Sequence, residues 1–182
     1  MRRTGTSLIL TAALAALAAT ALAPSPGRGQ AGSLERFDGT WTLTSGRRAL
    51  DDAIDRVADR MNVFIREIAR GEMHRRLSAE RRVRLVVHDE EHVSLGFDDW
   101  GPVRLRLDGP ARSVRGPEGD GIRLSMHLAR GRLIAHQDAD QGDRTSVFAV
   151  SGDGEHLSMG VRIGADQLPA DIRYRLRYRR TR

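Results

Sequence analysis

One short segment has the residue types of a metal site. It reads His88-Asp89-Glu90-Glu91-His92, with two histidines around three acidic side chains. A zinc protease needs His-Glu-x-x-His on a helix, so that both histidines share a face and the glutamate acts as the base. Here Asp follows the first histidine, and the segment lies between two stretches that alternate like strands. The pattern therefore predicts a solvated hairpin turn.

Two further groups of polar residues resemble metal ligands and fail on closer inspection. Asp138-Ala139-Asp140-Gln141-Gly142-Asp143 is similar to the start of a calcium loop, which needs Gly at its sixth position and Glu at its twelfth. Those positions hold Asp143 and Ala149, so a polar hairpin turn is predicted. His127 and His136 could approach each other on neighbouring strands, but two histidines without a third ligand make a poor metal site. We expect no metal and no cofactor.

Motifs for covalent catalysis and nucleotide binding are missing from the sequence. It contains no Gly-x-Ser-x-Gly elbow, no phosphate-binding loop and no dinucleotide fingerprint. Ser, His and Asp occur without a spacing that would indicate a triad. A protein that is not an enzyme is therefore expected.

Basic residues are concentrated in the last ten positions. All 30 basic residues are arginine, and Arg173, Arg175, Arg177 and Arg179 alternate with apolar side chains near the end of the chain. Nucleic-acid binding would need exposed aromatic side chains beside them for base stacking, and aromatic residues make up only 4% of the chain. Two interpretations stay open: a solvated outer strand face, or a stripe that binds an anionic envelope surface such as lipid headgroups or acidic polysaccharide.

The first 31 residues have the features of a removable signal peptide. Arg2 and Arg3 form a positive start, and Leu8–Ala23 is an uncharged run too short and too weakly apolar for a membrane span. Small residues allow cleavage after Ala31 or Ala21. We therefore expect an exported protein, periplasmic or extracellular, with one domain over residues 32–182 and no transmembrane span. The chain has no cysteine, which excludes disulfides and a cysteine-linked lipid anchor.

Helical periodicity is clearest in the first third of that domain. Apolar residues recur at steps of three and four over Leu50, Ile54, Val57, Met61, Phe64 and Ile68. Acidic residues lie in the first turns, and Gly71 provides a stop. One long amphipathic helix at about 49–71 is predicted. Its apolar face either packs on a sheet or forms a lid whose Met61 and Phe64 move to admit a ligand.

Alternation of apolar and polar residues dominates the rest of the chain. It is visible in five runs, which are 83–87, 103–107, 122–128, 157–163 and 172–178. Turn sequences rich in Gly, Asp and Pro separate them at short intervals. One strand before the helix, at 37–44, and about nine after it are predicted. This spacing indicates a mainly β fold built from hairpins, either a sandwich or a barrel with one face of each strand buried. Ten strands of this length can close around an apolar interior, and the fold expected is an antiparallel up-and-down β-barrel.

The first strand carries a family resemblance. Phe37-Asp38-Gly39-Thr40-Trp41 matches Phe-x-Gly-x-Trp and resembles the calycin superfamily, the lipocalins and their relatives. The resemblance implies that Gly39 and Trp41 lie at one end of the barrel, where a basic residue of the last strand packs across the tryptophan. Among the arginines of that strand, Arg177 is the residue assigned to this contact. The stacking would be a cation–π contact.

A helical insertion followed by about nine strands is similar to the fatty-acid-binding-protein branch. That resemblance implies a lipid-like ligand in the barrel, with lining residues at Phe64, Ile68, Leu105, Leu124, Met126, Phe148, Met159 and Tyr174. The branch's Arg-x-Tyr carboxylate clamp does not transfer, because Ile172 and Leu176 precede the two tyrosines. We expect an exported protein that binds an apolar or amphipathic small molecule. The alternative is a filled barrel that acts as an interaction module in the envelope.

Overall fold

The computed structural model describes residues 34–98, 100–116 and 119–181. The predicted signal peptide, 1–31, lies outside the described residues. The described chain opens with a short 3-10 helix, Glu35–Phe37, whose Phe37 is fully buried. No helix within these ranges is long and apolar enough to cross a lipid bilayer.

Ten antiparallel strands form one nearly closed barrel, as predicted. The sheet order is β4-β3-β2-β1-β10-β9-β8-β7-β6-β5, so strands that are neighbours in sequence pair with each other, except β4 and β5 at the two edges, and β1 pairs with β10. The strands are β1 Gly39–Ser45, β2 Arg82–Val87, β3 His92–Phe97, β4 Trp100–Arg106, β5 Arg112–Arg115, β6 Gly121–Ala129, β7 Arg132–Ala139, β8 Gly142–Val150, β9 His156–Gly164 and β10 Ile172–Thr181.

Side chains bridge the seam where the strand order ends, between β4 and β5. The Trp100 indole N–H donates to the Arg115 carbonyl oxygen at 2.8 Å. In the other direction, Arg112 donates to the carbonyl oxygen of Arg104 at 3.0 Å. These side-chain hydrogen bonds act together with a backbone bridge from the end of β4 to β6, where the Asp108 N–H donates to the Met126 carbonyl oxygen at 3.0 Å.

Two helices, and not one, follow the first strand. They are α1, Arg47–Ala58, and α2, Val63–Arg76. Asn62 separates them because its extended backbone (φ −57°, ψ 138°) leaves the helical region, and its side chain accepts from the Phe64 N–H at 3.0 Å. The predicted single helix at 49–71 is thus wrong at its middle and at its end. Gly71 lies inside α2 and does not stop it.

The core follows the alternation of the strands. In β10, Ile172, Tyr174, Leu176 and Tyr178 are buried, whereas the arginines between them face solvent. Leu50, Ile54 and Val57 of α1 are buried against the sheet, where α1 packs on β10. Burial of each such aliphatic side chain contributes about 1.5–3 kcal/mol. The structure confirms the prediction that the tyrosines of β10 point inward and its arginines outward.

Trp41 closes the end of the barrel where β1 begins. It is fully buried, and its indole N–H donates to the Phe37 carbonyl oxygen at 3.1 Å. The arginine that stacks on it is Arg180, with its guanidinium carbon 4.3 Å from the ring centroid. Arg177, assigned to that contact from the sequence, lies on the outer face because it shares the parity of Arg175 and Arg179.

Gly39 makes room for this stack. Its φ of +132° suits glycine, and a Cβ there would lie 2.9 Å from Nη1 of Arg180. Arg180 also donates to the carbonyl oxygens of Gly154 (2.9 Å), Arg36 (2.7 Å) and Asp38. At the closed end, the Arg180 guanidinium therefore links the last strand to the start of the first strand and to the β8–β9 turn.

Candidate functional site

A cavity of about 670 Å³ lies at the opposite end of the barrel. It is bordered by the end of α2, the loop before β2 and the turns β3–β4, β5–β6 and β7–β8. Its lining mixes apolar and charged side chains: Arg76, Leu77, Ser78, Glu80, Phe97, Asp98, Trp100, Gly116, Asp120, Ile122, Gln137, Ala139, Gln141, Gly142, Asp143, Arg144, Ile163 and Tyr174. Cavities of this size hold drug-sized or lipid-sized molecules in other proteins.

Aromatic rings connect the cavity to the packed half of the barrel. Phe97 stacks on Trp100 at a centroid distance of 6.1 Å and on Phe148 at 6.5 Å. Above the Phe97 ring, the guanidinium carbon of Arg144 lies 5.3 Å from the centroid. This row places a cation directly over an aromatic surface, an attractive arrangement that strengthens as water is excluded.

An ion pair between Arg144 and Glu80 forms the polar part of the site. Nη1 of Arg144 lies 2.5 Å from Oε1 of Glu80, and the two side chains are 21% and 9% exposed. Arg144 reaches inward from β8, where it is paired with Gln137 on β7 and Ile163 on β9. Glu80 comes from the loop between α2 and β2. The ion pair therefore connects the loop between α2 and β2 to strand β8.

Several buried polar atoms around this pair have no hydrogen-bond partner among the described residues. They are Nε and Nη2 of Arg144, Oε2 of Glu80 and the hydroxyl of Tyr178. A buried group left in this condition costs about 1–3 kcal/mol. Burial by itself lowers the pKa of Arg144, but the Glu80 carboxylate and the nearby tyrosines outweigh it and hold that pKa above its ordinary value. Arg144 is thus a permanent cation inside the barrel.

Both tyrosines of the chain lie beside this pair and resist ionisation. Burial raises the pKa of Tyr174 to about 12, with Glu80 acting in the same direction and Arg144 against it. The pKa of Tyr178 is raised further, first by burial and then by the carboxylate of Glu80. Low polarity disfavours a phenolate, so both hydroxyls stay protonated at neutral pH.

An alkaline titration is expected to show this. A pKa raised in the folded state contributes stability that is complete below the unfolded value near pH 10 and is lost as pH rises toward 12. Tyrosinate absorbance should therefore appear late and together with loss of the β-sheet circular dichroism signal. Ionisation of a tyrosine near pH 10 in a chain that keeps its β-sheet signal would contradict the placement of both rings.

The sequence-predicted lining residues fall into three groups. Tyr174 lines the cavity. Five others are buried in the packed part of the core and do not border the cavity: Leu105, Leu124, Met126, Phe148 and Met159. Phe64 and Ile68 are 86% and 77% exposed on α2, so the structure places them on the outer surface and not in the barrel. The helical spacing in the sequence predicts that Phe64 and Ile68 share the apolar face of Leu50, but the break at Asn62 places them on a separate helix.

Arg144 and Glu80 were not identified from the sequence. For Arg144 a signal existed, because Arg144, Ser146 and Phe148 share one parity along β8 and Phe148 was already assigned to the interior. Glu80 lies in a loop without periodicity, and its burial follows only from the tertiary fold.

The two metal-like segments are hairpin turns, as predicted. Residues 88–91 join β2 to β3, where Nδ1 of His92 lies 2.8 Å from a carboxylate oxygen of Asp89. The segment 138–143 spans the β7–β8 turn. His127 and His136 stack with centroids 5.2 Å apart on the sheet surface. Within the described ranges, no group of three or more His, Asp or Glu residues is arranged to hold a metal ion.

The fold has clear counterparts among solved structures. No family model matches the sequence, and no curated protein matches it. A secretary abundant heat soluble protein from Ramazzottius varieornatus superposes with a TM-score of 0.56 at 11% identity, over 80% of this chain and 96% of that one.

Two lipid-binding structures superpose almost as well. Lipid binding protein 8 of Caenorhabditis elegans gives a TM-score of 0.52 at 12% identity, over 81% of this chain and 97% of that one. A Schistosoma mansoni fatty acid binding protein in complex with arachidonic acid gives 0.52 at 14% identity, over 83% and 100%. At these identities the likeness establishes the fold alone: the chain folds as an antiparallel β-barrel of the kind seen in these fatty-acid-binding proteins.

Proposed function

We propose that this protein is an exported carrier, and not an enzyme, that holds one small amphipathic molecule in the cavity at the α2 end of the barrel. The observation that carries the proposal is the cavity itself, about 670 Å³ with an apolar wall and a buried Arg144–Glu80 pair. An apolar pocket with a few convergent polar groups is typical of small-molecule binding. The signal-like N-terminus supports export.

The placement of the cavity supports a ligand smaller than the whole barrel. Leu124, Leu133, Phe148 and Met159 are fully buried and fill the middle of the interior. The free volume lies above Phe97, between that core and the end of α2. Structures with this fold include a fatty acid binding protein in complex with arachidonic acid, which supports a lipid-like ligand here.

A cavity-filling variant tests the proposal. Ala139 lines the cavity, whereas Ala149 faces outward from β8. Ala139→Phe should weaken binding of the apolar fluorophore Nile red by about tenfold or more, because a benzyl group would occupy the space of the ligand. Ala149→Phe, the matched control, should leave binding unchanged. Equal affinities of both variants and the wild type would refute the cavity as the binding site.

The outward position of the α2 side chains gives a second expectation. Phe64→Ser combined with Ile68→Ser should change Nile red affinity by less than about twofold, because neither side chain borders the cavity. A fluorescence titration of the double variant measures this. A loss comparable to that of Ala139→Phe would mean that α2 folds over the cavity when ligand binds.

The outer face of β10 supports a second candidate function, docking to an anionic envelope surface. Among the described residues, Arg175, Arg177 and Arg179 have no ion-pair partner, whereas Arg173 pairs with Asp171 at 2.7 Å. Replacing the three unpaired arginines with Gln should abolish sedimentation with phosphatidylglycerol vesicles at low salt. Zwitterionic phosphatidylcholine vesicles are the control. Equal binding of the wild type and the triple variant to the anionic vesicles would exclude this function.

A further inference from the structure

The charge of Arg144, which reaches into the cavity from β8, is already compensated. Arg144 meets Glu80 at 2.5 Å, and both side chains are largely withdrawn from water. A ligand carboxylate would have to share this guanidinium with Glu80 or displace it. Two carboxylates that share one buried site repel each other, and one of them is forced to take up a proton. The pair therefore does not offer the free cation that a fatty acid would need.

The remaining charges around the cavity are also unfavourable for an anion. The lining holds two arginines, Arg76 and Arg144, against the four carboxylates of Glu80, Asp98, Asp120 and Asp143. Asp143 is neutralised from outside by Arg162 at 2.6 Å, and acids still outnumber bases without it. A cavity lined with an excess of one sign disfavours ligands of the same sign.

The buried polar atoms without a partner around the ion pair include both hydrogen-bond donors and acceptors. Nε and Nη2 of Arg144 are donors without a partner, and Oε2 of Glu80 is an acceptor without one. The Tyr178 hydroxyl beside them can do either. A cationic ligand would satisfy Glu80 but would face the Arg144 guanidinium, and an anionic one would have the reverse problem. A neutral group with both a donor and an acceptor satisfies the two side chains together once they turn their buried, unpaired atoms toward the cavity.

We propose that the polar end of the ligand is uncharged and carries both a hydrogen-bond donor and an acceptor, as a primary amide does, and that a free carboxylate is disfavoured. This inference rests on the proposed function, since it assigns the chemistry of the molecule held in that cavity. It also gives Glu80 a role in specificity: its carboxylate sets the net charge that the ligand meets.

Competition among ligands with one hydrocarbon chain tests this on the wild-type protein. Oleamide, oleate and oleylamine are each titrated against bound Nile red at neutral pH. Oleamide should displace the dye at a concentration at least about tenfold lower than either charged analogue. Tighter binding of oleate or of oleylamine overturns the inference, as does bound Nile red that none of the three displaces. Absence of Nile red binding would instead refute the proposed function itself.

A variant of Glu80 tests the assigned cause. Glu80→Gln keeps the shape and removes the negative charge, which leaves Arg144 free to attract an anion. Oleate affinity should rise by about tenfold, whereas oleamide affinity should stay the same or fall. Glu91→Gln, in the exposed β2–β3 turn at the other end of the barrel, is the matched control and should change neither. If the ratio of oleate to oleamide affinity stays unchanged in a folded Glu80→Gln protein, Glu80 does not set the preference for an uncharged ligand. If that variant fails to fold, the competition of oleamide, oleate and oleylamine on the wild-type protein decides.

Discussion

Glu80→Met is expected to lower the free energy of unfolding by about 3–5 kcal/mol, because it leaves the buried Arg144 guanidinium without a counter-charge. An arginine cannot lose its proton to relieve the cost. The double variant Glu80→Met with Arg144→Met should recover most of the loss, since two apolar side chains of similar volume replace the whole pair. Urea denaturation followed by circular dichroism measures all three.

An exposed ion pair provides the control for this cycle. Glu67 contacts Arg70 at 2.6 Å but is 75% exposed, so Glu67→Met should cost less than about 1 kcal/mol. If Glu80→Met were as mild as Glu67→Met, or if the double variant were no more stable than Glu80→Met, the pair would not be buried as the structure has it.

Trp41→Ala is expected to cost about 3–5 kcal/mol, the range for removal of a large buried aromatic side chain. The variant loses the packing at the closed end, the hydrogen bond to Phe37 and the ring on which Arg180 stacks. Arg180→Ala should cost about 2 kcal/mol, because it removes the stack and frees three carbonyl oxygens.

Arg177→Ala separates the two candidate arginines. Its side chain lies on the exposed outer face of the same strand, so the variant should stay within about 0.5 kcal/mol of the wild type. Thermal or urea unfolding of the three single variants gives the comparison. A large loss of stability for Arg177→Ala together with a small loss for Arg180→Ala would show that Arg177, and not Arg180, stacks on Trp41.

The barrel could be predicted because apolar and polar residues alternate along five of its strands, β2, β4, β6, β9 and β10. Alternation of Tyr174, Leu176 and Tyr178 with arginines determines which face of β10 is buried, and short turns between neighbouring runs permit only a meander. The same parity distinguishes Arg180 from Arg177, since Arg180 is the arginine in the register of the tyrosines. The sequence alone is therefore sufficient to place Arg180, and not Arg177, on the inner face of β10.

The helices were only partly predictable. The apolar steps from Leu50 to Ile68 keep helical spacing across the whole segment, and a four-residue break falls within that spacing without disturbing it. Asn62 is the local signal for the break, because Asn is a preferred N-cap. Gly71 was predicted to end the helix but lies inside α2, because an isolated glycine in a helix costs only about 1 kcal/mol and is tolerated.

The cavity and its ion pair could not be derived in full from the sequence. Whether a barrel interior is filled depends on the summed volumes of side chains from ten strands, which periodicity does not determine. Glu80 becomes an interior residue only because the loop before β2 crosses the end of the barrel toward Arg144. Its partner is 64 positions away in sequence, so no local pattern connects them.

The most direct test of the account is native mass spectrometry of the protein purified from its own host without heat or organic solvent. We expect a population that carries one non-covalent, lipid-sized molecule per chain, lost in Ala139→Phe and retained in Ala149→Phe. A spectrum that contains only the bare chain in the wild type, under conditions that preserve non-covalent complexes, would contradict the assignment of this barrel as a carrier.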